Sequence, residues 1–261
     1  MNLSEAISTM HTERTPEANK SFVDAFRELV NTNALVYTSV KKAGNGYAID
    51  TAEHAGSVYT VMFSDSGQVK HEPSSSTATI YLPSLIDSTY ANAHIAGIVI
   101  NPFDKPVYMQ RKDLQVLSGK PDPRLAKRDW GEGIPEYSES DLMVAEEALD
   151  FAMEIVAEYG LKDSGFEVVE TNNGLTAFPN YVLMREGEMY FVSVDVTVAP
   201  KVPSLSEELK KKIVEIASRN GAKALYAPVS FSSADSKRME KGLALVGDSF
   251  IGNFIGFFEL H

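Results

Sequence analysis

Two segments in the second half of the chain place polar side chains in an apolar background. Residues 189–198 alternate apolar and polar, so Ser193 and Asp195 are expected on one face of a strand, opposite its valines. Asn180 and Tyr181 open the preceding strand, and Glu146 lies on a helix before it. Carboxylates beside an amide and a hydroxyl can bind a polar ligand or a divalent cation. We therefore predict one pocket formed by Asn180, Tyr181, Ser193, Asp195 and Glu146. The alternative is that Asp195 only faces a groove or bonds the loop at 197–201.

A second polar feature follows the apolar segment 95–100, where Asn101, Pro102 and Phe103 stand in a row. Proline restricts the residue before it to extended backbone angles, and an Asn side chain can bond nearby backbone groups. These residues therefore predict a structural corner, with an interaction surface as the alternative.

The elements that position these residues indicate two domains of the α/β or α+β class, each a mixed β-sheet flanked by helices. Residues 1–120 form the first domain, in which helical and strand patterns alternate. Residues 121–137 are rich in proline and glycine and predict a linker, to which Trp130 contributes an anchor. Residues 138–261 form the second domain.

The second domain has the predicted element order α-β-β-β-α-β, then α-β. Its first helix is expected to follow a cap at Ser138 or Ser140 and to end near Tyr159. A later helix is indicated by a capping box at Ser204 and Glu207, and its basic run at 210–212 is interpreted as a solvated face.

Two short motifs in the first domain point to a known family. Ile-Tyr-Leu-Pro occupies 80–83, and Gly-Ile-Val-Ile-Asn-Pro-Phe occupies 97–103, before a strand closing at Val107 and a helix at Asp113-Leu114. Over residues 20–118 this pattern resembles the N-terminal domain of the SseB family, the enhanced-serine-sensitivity proteins of bacteria. The resemblance implies a non-catalytic interaction module.

The element order over residues 141–230 resembles the restriction-endonuclease fold of the PD-(D/E)xK superfamily. Its metal-binding acids and its lysine would fall on Asn180, Ser193 and Asp195 of this sequence. Only one of these three is a carboxylate and none is basic, so the resemblance implies a degenerate and inactive nuclease-like domain.

Composition excludes several classes of function. The 261 residues contain no cysteine, which excludes disulfides and thiol catalysis, and a net charge of −12 argues against broad nucleic-acid binding. The five histidines are dispersed, so we expect no metal site, and we expect no cofactor. His94 is expected in the core. Neither a phosphate-binding glycine loop nor a serine-hydrolase elbow occurs.

These observations favour a cytoplasmic, non-enzymatic bacterial protein that acts as an interaction or scaffold protein through an unidentified protein partner. The N-terminal sequence is unlike a signal peptide, and no apolar run reaches the ~20 residues that span a membrane. Homo-oligomerisation and an unrecognised hydrolase that uses Asp195 stay open as alternatives. The alternative function is residual nucleic-acid or divalent-metal binding by a degenerate nuclease-like domain.

Overall fold

The computed structural model describes residues 1–261, which form two compact units, Met1–Ala126 and Lys127–His261. Seven α-helices flank three sheets, and the expected mixed α/β class is confirmed. No helix combines the length and the apolar character that crossing a membrane requires.

The first unit contains four helices and seven strands. The helices are α1 (Leu3–Glu13), α2 (Pro16–Asn31), α3 (Leu82–Tyr90) and α4 (Arg111–Ser118). The strands are β1 (Leu35–Ala43), β2 (Gly46–Ile49), β3 (Thr51–His54), β4 (Ser57–Met62), β5 (Ser75–Tyr81), β6 (Ile95–Ile100) and β7 (Val107–Gln110). They form an antiparallel sheet in the order β2-β1-β5 and a mixed sheet in the order β3-β4-β6-β7.

The main core of the first unit lies between its helices and its sheets. Phe26, Leu85, Ile98 and Leu114 are fully buried members of this core. Strand β6 alternates its side chains, so Val99 points to a separate cluster on the opposite face. His94 is exposed just before β6, so its predicted core position is wrong.

The second unit contains three helices and one six-stranded sheet. The helices are α5 (Ala145–Val156), α6 (Glu207–Arg219) and α7 (Ser236–Lys241). The strands are β8 (Glu167–Thr171), β9 (Tyr181–Arg185), β10 (Glu188–Val198), β11 (Lys223–Ser233), β12 (Phe250–Phe254) and β13 (Phe258–Leu260). The sheet order is β12-β11-β10-β9-β8, with β13 also paired to β11, and only β10 and β11 run parallel.

Helices cover both faces of this sheet. On one face α5 packs on Val192, Val194 and Ala227, which are all buried. On the other face α6 packs on Phe191 and Ala224. The side chains of β10 therefore alternate between the two helices, as the apolar and polar alternation of its sequence predicts.

The first helix of the second unit is shorter than the sequence predicts. Residues Glu139–Asp141 form a 3₁₀ turn, and Leu142 then pairs with Leu245 as a β-bridge. The α-helix begins only at Ala145, where the Glu147 carboxylate accepts a hydrogen bond from the Val144 amide at 3.0 Å. Pairing with a distant segment overrides the local helical pattern before this point.

A buried arginine fixes the start of the segment 121–137, which contains no helix or strand. The Arg111 guanidinium donates to both carboxylate oxygens of Asp122, at 2.6 and 2.9 Å, and Asp122 is completely buried. Four backbone carbonyls accept its remaining hydrogen bonds, among them those of Asn92 and Ile95. A guanidinium has five N–H donors, and the surrounding acceptors satisfy all of them.

A second buried arginine holds the later part of the same segment within the second unit. Arg238 donates to the carbonyl oxygens of Gly131 and Gly133, at 3.1 and 2.6 Å, and forms an ion pair with Asp248. The Trp130 indole nitrogen donates to the carbonyl oxygen of Val246 at 3.0 Å. Residues 130–133 are therefore an ordered part of the second unit.

Candidate functional site

A cleft of about 560 Å³ opens in the second unit where β10, α6 and the loops before β9 and α6 meet. It combines an apolar wall with a few polar groups, which is the usual character of ligand-binding clefts. Its lining residues are Leu149, Leu175, Thr176, Ala177, Phe178, Asn180, Ser193, Val194, Asp195, Ser204, Leu205, Leu209, Lys212, Ile213 and Ile216.

Asp195 is the only acidic residue in the lining of this cleft, and it is half-buried. Strands β10 and β11 run parallel with Ser193 opposite Tyr226, so the Tyr226 phenol reaches the Asp195 side chain two residues further along β10. The phenol donates a hydrogen bond to Asp195 Oδ2 at 2.7 Å. Asp195 Oδ1 forms no hydrogen bond within the protein, so it is the free acceptor of the cleft.

The Tyr226 hydroxyl stays protonated and so remains a hydrogen-bond donor to Asp195. Burial and then the neighbouring Asp195 carboxylate raise the pKa of this phenol above its ordinary value. The phenol therefore keeps its proton at neutral pH, and the hydrogen bond fixes which carboxylate oxygen stays free.

Asn180 lines the cleft, but its side chain is committed to the backbone. Its Oδ1 accepts a hydrogen bond from the Val194 amide at 2.8 Å, and its Nδ2 donates to the carbonyl oxygen of Asn172 at 3.1 Å. Only 3% of Asn180 is exposed. The Asn180 backbone amide also donates a hydrogen bond to the carbonyl oxygen of Val192. The backbone and side chain of Asn180 thus continue the hydrogen bonding between β9 and β10 before the first residue of β9. Asn180 therefore supports the floor of the cleft.

Two of the five predicted pocket residues do not join the cleft. Tyr181 lies on the opposite face of the sheet, where its hydroxyl donates to the carbonyl oxygen of Met153 at 2.8 Å. Burial raises the pKa of Tyr181 to about 12. Glu146 lies in the first turn of α5 and is not among the lining residues. Alternation along β9 separates Tyr181 from Asn180, since consecutive strand residues face opposite sides.

The wall opposite the strands is apolar and carries one cation at its rim. Leu205, Leu209 and Ile213 contribute the apolar surface, and Leu209 is 47% exposed although it lies on the helix that covers the sheet. Lys212 is exposed on the same helix and forms no ion pair with Asp195. The Ser193 hydroxyl also has no hydrogen-bond partner within the protein. The cleft therefore offers one free carboxylate oxygen and one free hydroxyl beside an apolar wall.

The corner at Asn101 is structural, and its backbone differs from the expected one. Asn101 is buried and has a φ of 53°, in the left-handed region and not in the extended region that Pro102 favours. Its side chain accepts from the Ser64 amide at 2.9 Å and donates to the Ser64 hydroxyl at 3.0 Å. Asn tolerates left-handed angles better than most residues, and these bonds hold it there. Phe103 is 57% exposed beyond the corner.

The comparisons with known proteins give one family. Residues 146–260 are similar to a domain of unknown function, DUF8840. This match covers less than half of the chain and spans the whole lining of the cleft. No curated protein and no solved structure matches the chain.

Both family resemblances drawn from the sequence are corrected by this result. No SseB family match is found in the first unit, and the DUF8840 match replaces the nuclease-like assignment in the second. The Asn-Pro-Phe motif is explained locally, because a buried Asn bonded to Ser64 is what this turn requires.

The sequence did not predict one residue that lines the cleft, Lys212, or the residue that bonds to Asp195, Tyr226. Tyr226 comes 31 residues after Asp195, and only the register of β10 with β11 brings the two together. Lys212 was interpreted as part of a solvated face, yet it lies at the rim of the cleft. No group of three or more His, Cys, Asp or Glu residues could hold a metal ion.

Proposed function

We propose that the second unit is a non-catalytic recognition module whose cleft receives a lysine or arginine side chain from a protein partner. The observation that carries the proposal is the half-buried Asp195 carboxylate, with Oδ2 bonded to Tyr226 and Oδ1 left free inside the cleft. A partly desolvated carboxylate oxygen binds a cationic donor more strongly than a neutral one.

The walls of the cleft favour a cation carried on an apolar stem. Leu205, Leu209 and Ile213 can contact methylene groups, while Asp195 and Ser193 accept hydrogen bonds from the charged head. Lysine and arginine side chains bury their stems against apolar surface in this way. Guanidinium and ammonium groups both carry several donors, so one head group can reach both acceptors.

The charge of the second half of the chain supports the same class of partner. Residues 123–261 contain 14 Lys and Arg against 23 Asp and Glu. A negative field of this kind raises the association rate of basic partners and repels acidic ones.

The polar groups of the cleft favour binding over catalysis. A serine nucleophile needs a base within hydrogen-bond distance, and Ser193 has no such partner. The Asn180 amide is occupied by backbone groups. The alternative function, residual metal or nucleic-acid binding, has less support, because the cleft lining contains a single carboxylate and a single cation, Asp195 and Lys212.

The test is a titration of the full chain with N-acetyl-lysine methylamide, followed by amide chemical shifts and by calorimetry. We expect weak binding with the shifts concentrated at Ser193–Asp195, and we expect Asp195→Asn to weaken it about tenfold or more. The matched control is Asp163→Asn, which removes the same charge at an exposed loop position outside the cleft. Equal loss in both variants, or no binding by the unmodified chain, would reject the proposal.

A cytoplasmic location and a protein partner both belong to this proposal. Fractionation of the native cells tests the location, and recovery of the protein outside the cytosol would contradict that part of the proposal. Sedimentation of the purified chain tests whether a second copy is the partner. In that case a dimer should dissociate in the Asp195→Asn variant and persist in the Asp163→Asn variant.

A further inference from the structure

An apolar groove of about 470 Å³ lies on the part of the sheet face beside the Asp195 cleft. Its floor is formed by Tyr226, Pro228 and Ser230 of β11. Its rim is formed by Val202, Ile255 and Phe258, which are 78%, 68% and 45% exposed. Three large apolar side chains exposed around one groove form a contiguous patch of the kind that marks binding surfaces.

The groove and the cleft are neighbouring parts of one surface. The hydrogen bond from Tyr226 to Asp195 joins their floors, because Tyr226 lines the groove and Asp195 lines the cleft. Their walls are also consecutive in sequence, since Pro203 lines the groove and Ser204 lines the cleft. The two sites are therefore adjacent, with Tyr226 bonded to Asp195 between them.

We propose that the ligand is an extended peptide segment that places a basic side chain in the cleft and a large apolar side chain, two residues away, in the groove. This inference rests on the proposed function, and it specifies the partner as a basic and apolar peptide. Adjacent strands lie about 4.8 Å apart, and side chains at i and i+2 of an extended chain lie about 7 Å apart. Asp195 lies on β10 and the groove floor lies on the neighbouring strand β11, so a peptide that crosses the two strands can place side chains two residues apart in the two sites.

The groove also offers partners for a peptide backbone. Ser230 and Asn253 face each other across β11 and β12, and both line the groove. Neither side chain forms a hydrogen bond within the protein. A peptide crossing these strands can therefore bond its amide and carbonyl groups to them, which fixes its position as polar groups do in other peptide-binding grooves.

The test compares two peptides on the full chain, Ac-Gly-Lys-Gly-Phe-Gly-NH₂ and Ac-Gly-Lys-Gly-Gly-Gly-NH₂. We expect the phenylalanine peptide to bind on the order of tenfold more tightly, because its ring leaves water for the groove. Ile255→Ser should remove most of this difference and leave the affinity of the glycine peptide unchanged. Ile251→Ser is the matched control, because Ile251 is 61% exposed on β12 but does not line the groove.

The outcomes separate this inference from the proposed function. If both peptides bind equally and both depend on Asp195, the inference that one peptide occupies both the cleft and the groove is rejected, while the proposed cation site in the cleft is retained. If the phenylalanine peptide keeps its advantage in the Ile255→Ser variant, the groove is not where its ring binds and the inference is overturned. If neither peptide binds, the proposed function fails as well.

Discussion

Replacing Asn180 by alanine should destabilise the second unit far more than its small change in volume would suggest. The Asn180 side chain makes two hydrogen bonds, to the Val194 amide and to the Asn172 carbonyl, and it is 97% buried. Each bond contributes about 1 kcal/mol, and a buried amide left without a partner costs about 1–3 kcal/mol more. We expect Asn180→Ala to lower the free energy of unfolding by about 3–5 kcal/mol.

Trp130 provides the assay, because it is the only tryptophan and its indole is bonded within the second unit. Urea unfolding followed by its fluorescence reports the stability of that unit, with the midpoint falling and the slope unchanged. Asn220→Ala is the matched control, since Asn220 makes one exposed hydrogen bond, to the carbonyl oxygen of Ile216. Its expected cost is below about 1 kcal/mol.

Equal losses in the two variants would refute the structural role assigned to Asn180. The cleft would then contain a free amide, and Asn180 would have to be tested as a ligand-binding residue with the lysine probe. A large loss in Asn180→Ala alone confirms that this amide belongs to the sheet.

Three further predictions concern groups buried elsewhere in the two units. Arg238→Met should destabilise the second unit by about 3–5 kcal/mol, because it leaves the Asp248 carboxylate buried without its partner; urea unfolding measures it. Stability should fall as the pH rises from about 10 towards about 12, since burial raises the pKa of Tyr181 and the unfolded chain ionises first; Tyr181→Phe should reduce the steepness of that fall. Gly97→Ala should destabilise the first unit by about 1–3 kcal/mol or more, because its Cβ would stand 1.9 Å from the Met109 carbonyl oxygen; thermal unfolding followed by circular dichroism measures it.

Each of these predictions has a control in the same unit. Arg219→Met removes an exposed charge that is paired with Glu215 on α6, and it should change stability by less than about 1 kcal/mol. Tyr159→Phe alters a tyrosine that is 74% exposed, so its alkaline unfolding should match that of the unmodified chain. Gly44→Ala meets open space at a φ of 57°, so it measures backbone strain without a clash. Gly97 has no positive φ, so a loss in Gly97→Ala no larger than that in Gly44→Ala would contradict the steric explanation.

The order of elements in the second unit could be predicted because its local signals agree with its packing. The alternation in 189–198 correctly puts Ser193 and Asp195 on one face, since the buried valines at 192 and 194 fix which side chains face α5. The helix predicted from Ser138 failed because Leu142 pairs with Leu245 across about a hundred residues. No local pattern reports a partner at that distance.

The cleft could be predicted only in part, for the same reason. Asp195 was identified because a carboxylate in an apolar strand is unusual, while Tyr226 carries no such signal in its own segment. The missed helix α1 is different, since Asn2 caps it and Glu5 completes a capping box that the sequence contains.

The pairing of β11 has a consequence for the growing chain. On one side β11 pairs with β10, and on the other it pairs with both β12 and β13, which lie within residues 250–260. Phe250 packs on Phe151 and Phe231, with ring centroids 5.6 and 5.2 Å apart. On the ribosome, these two rings and the open edge of β11 stay uncovered until residues 250–260 emerge. The sheet of the second unit therefore cannot be completed before residues 250–260 are translated, and until then the uncovered strand edge and rings are open to aggregation.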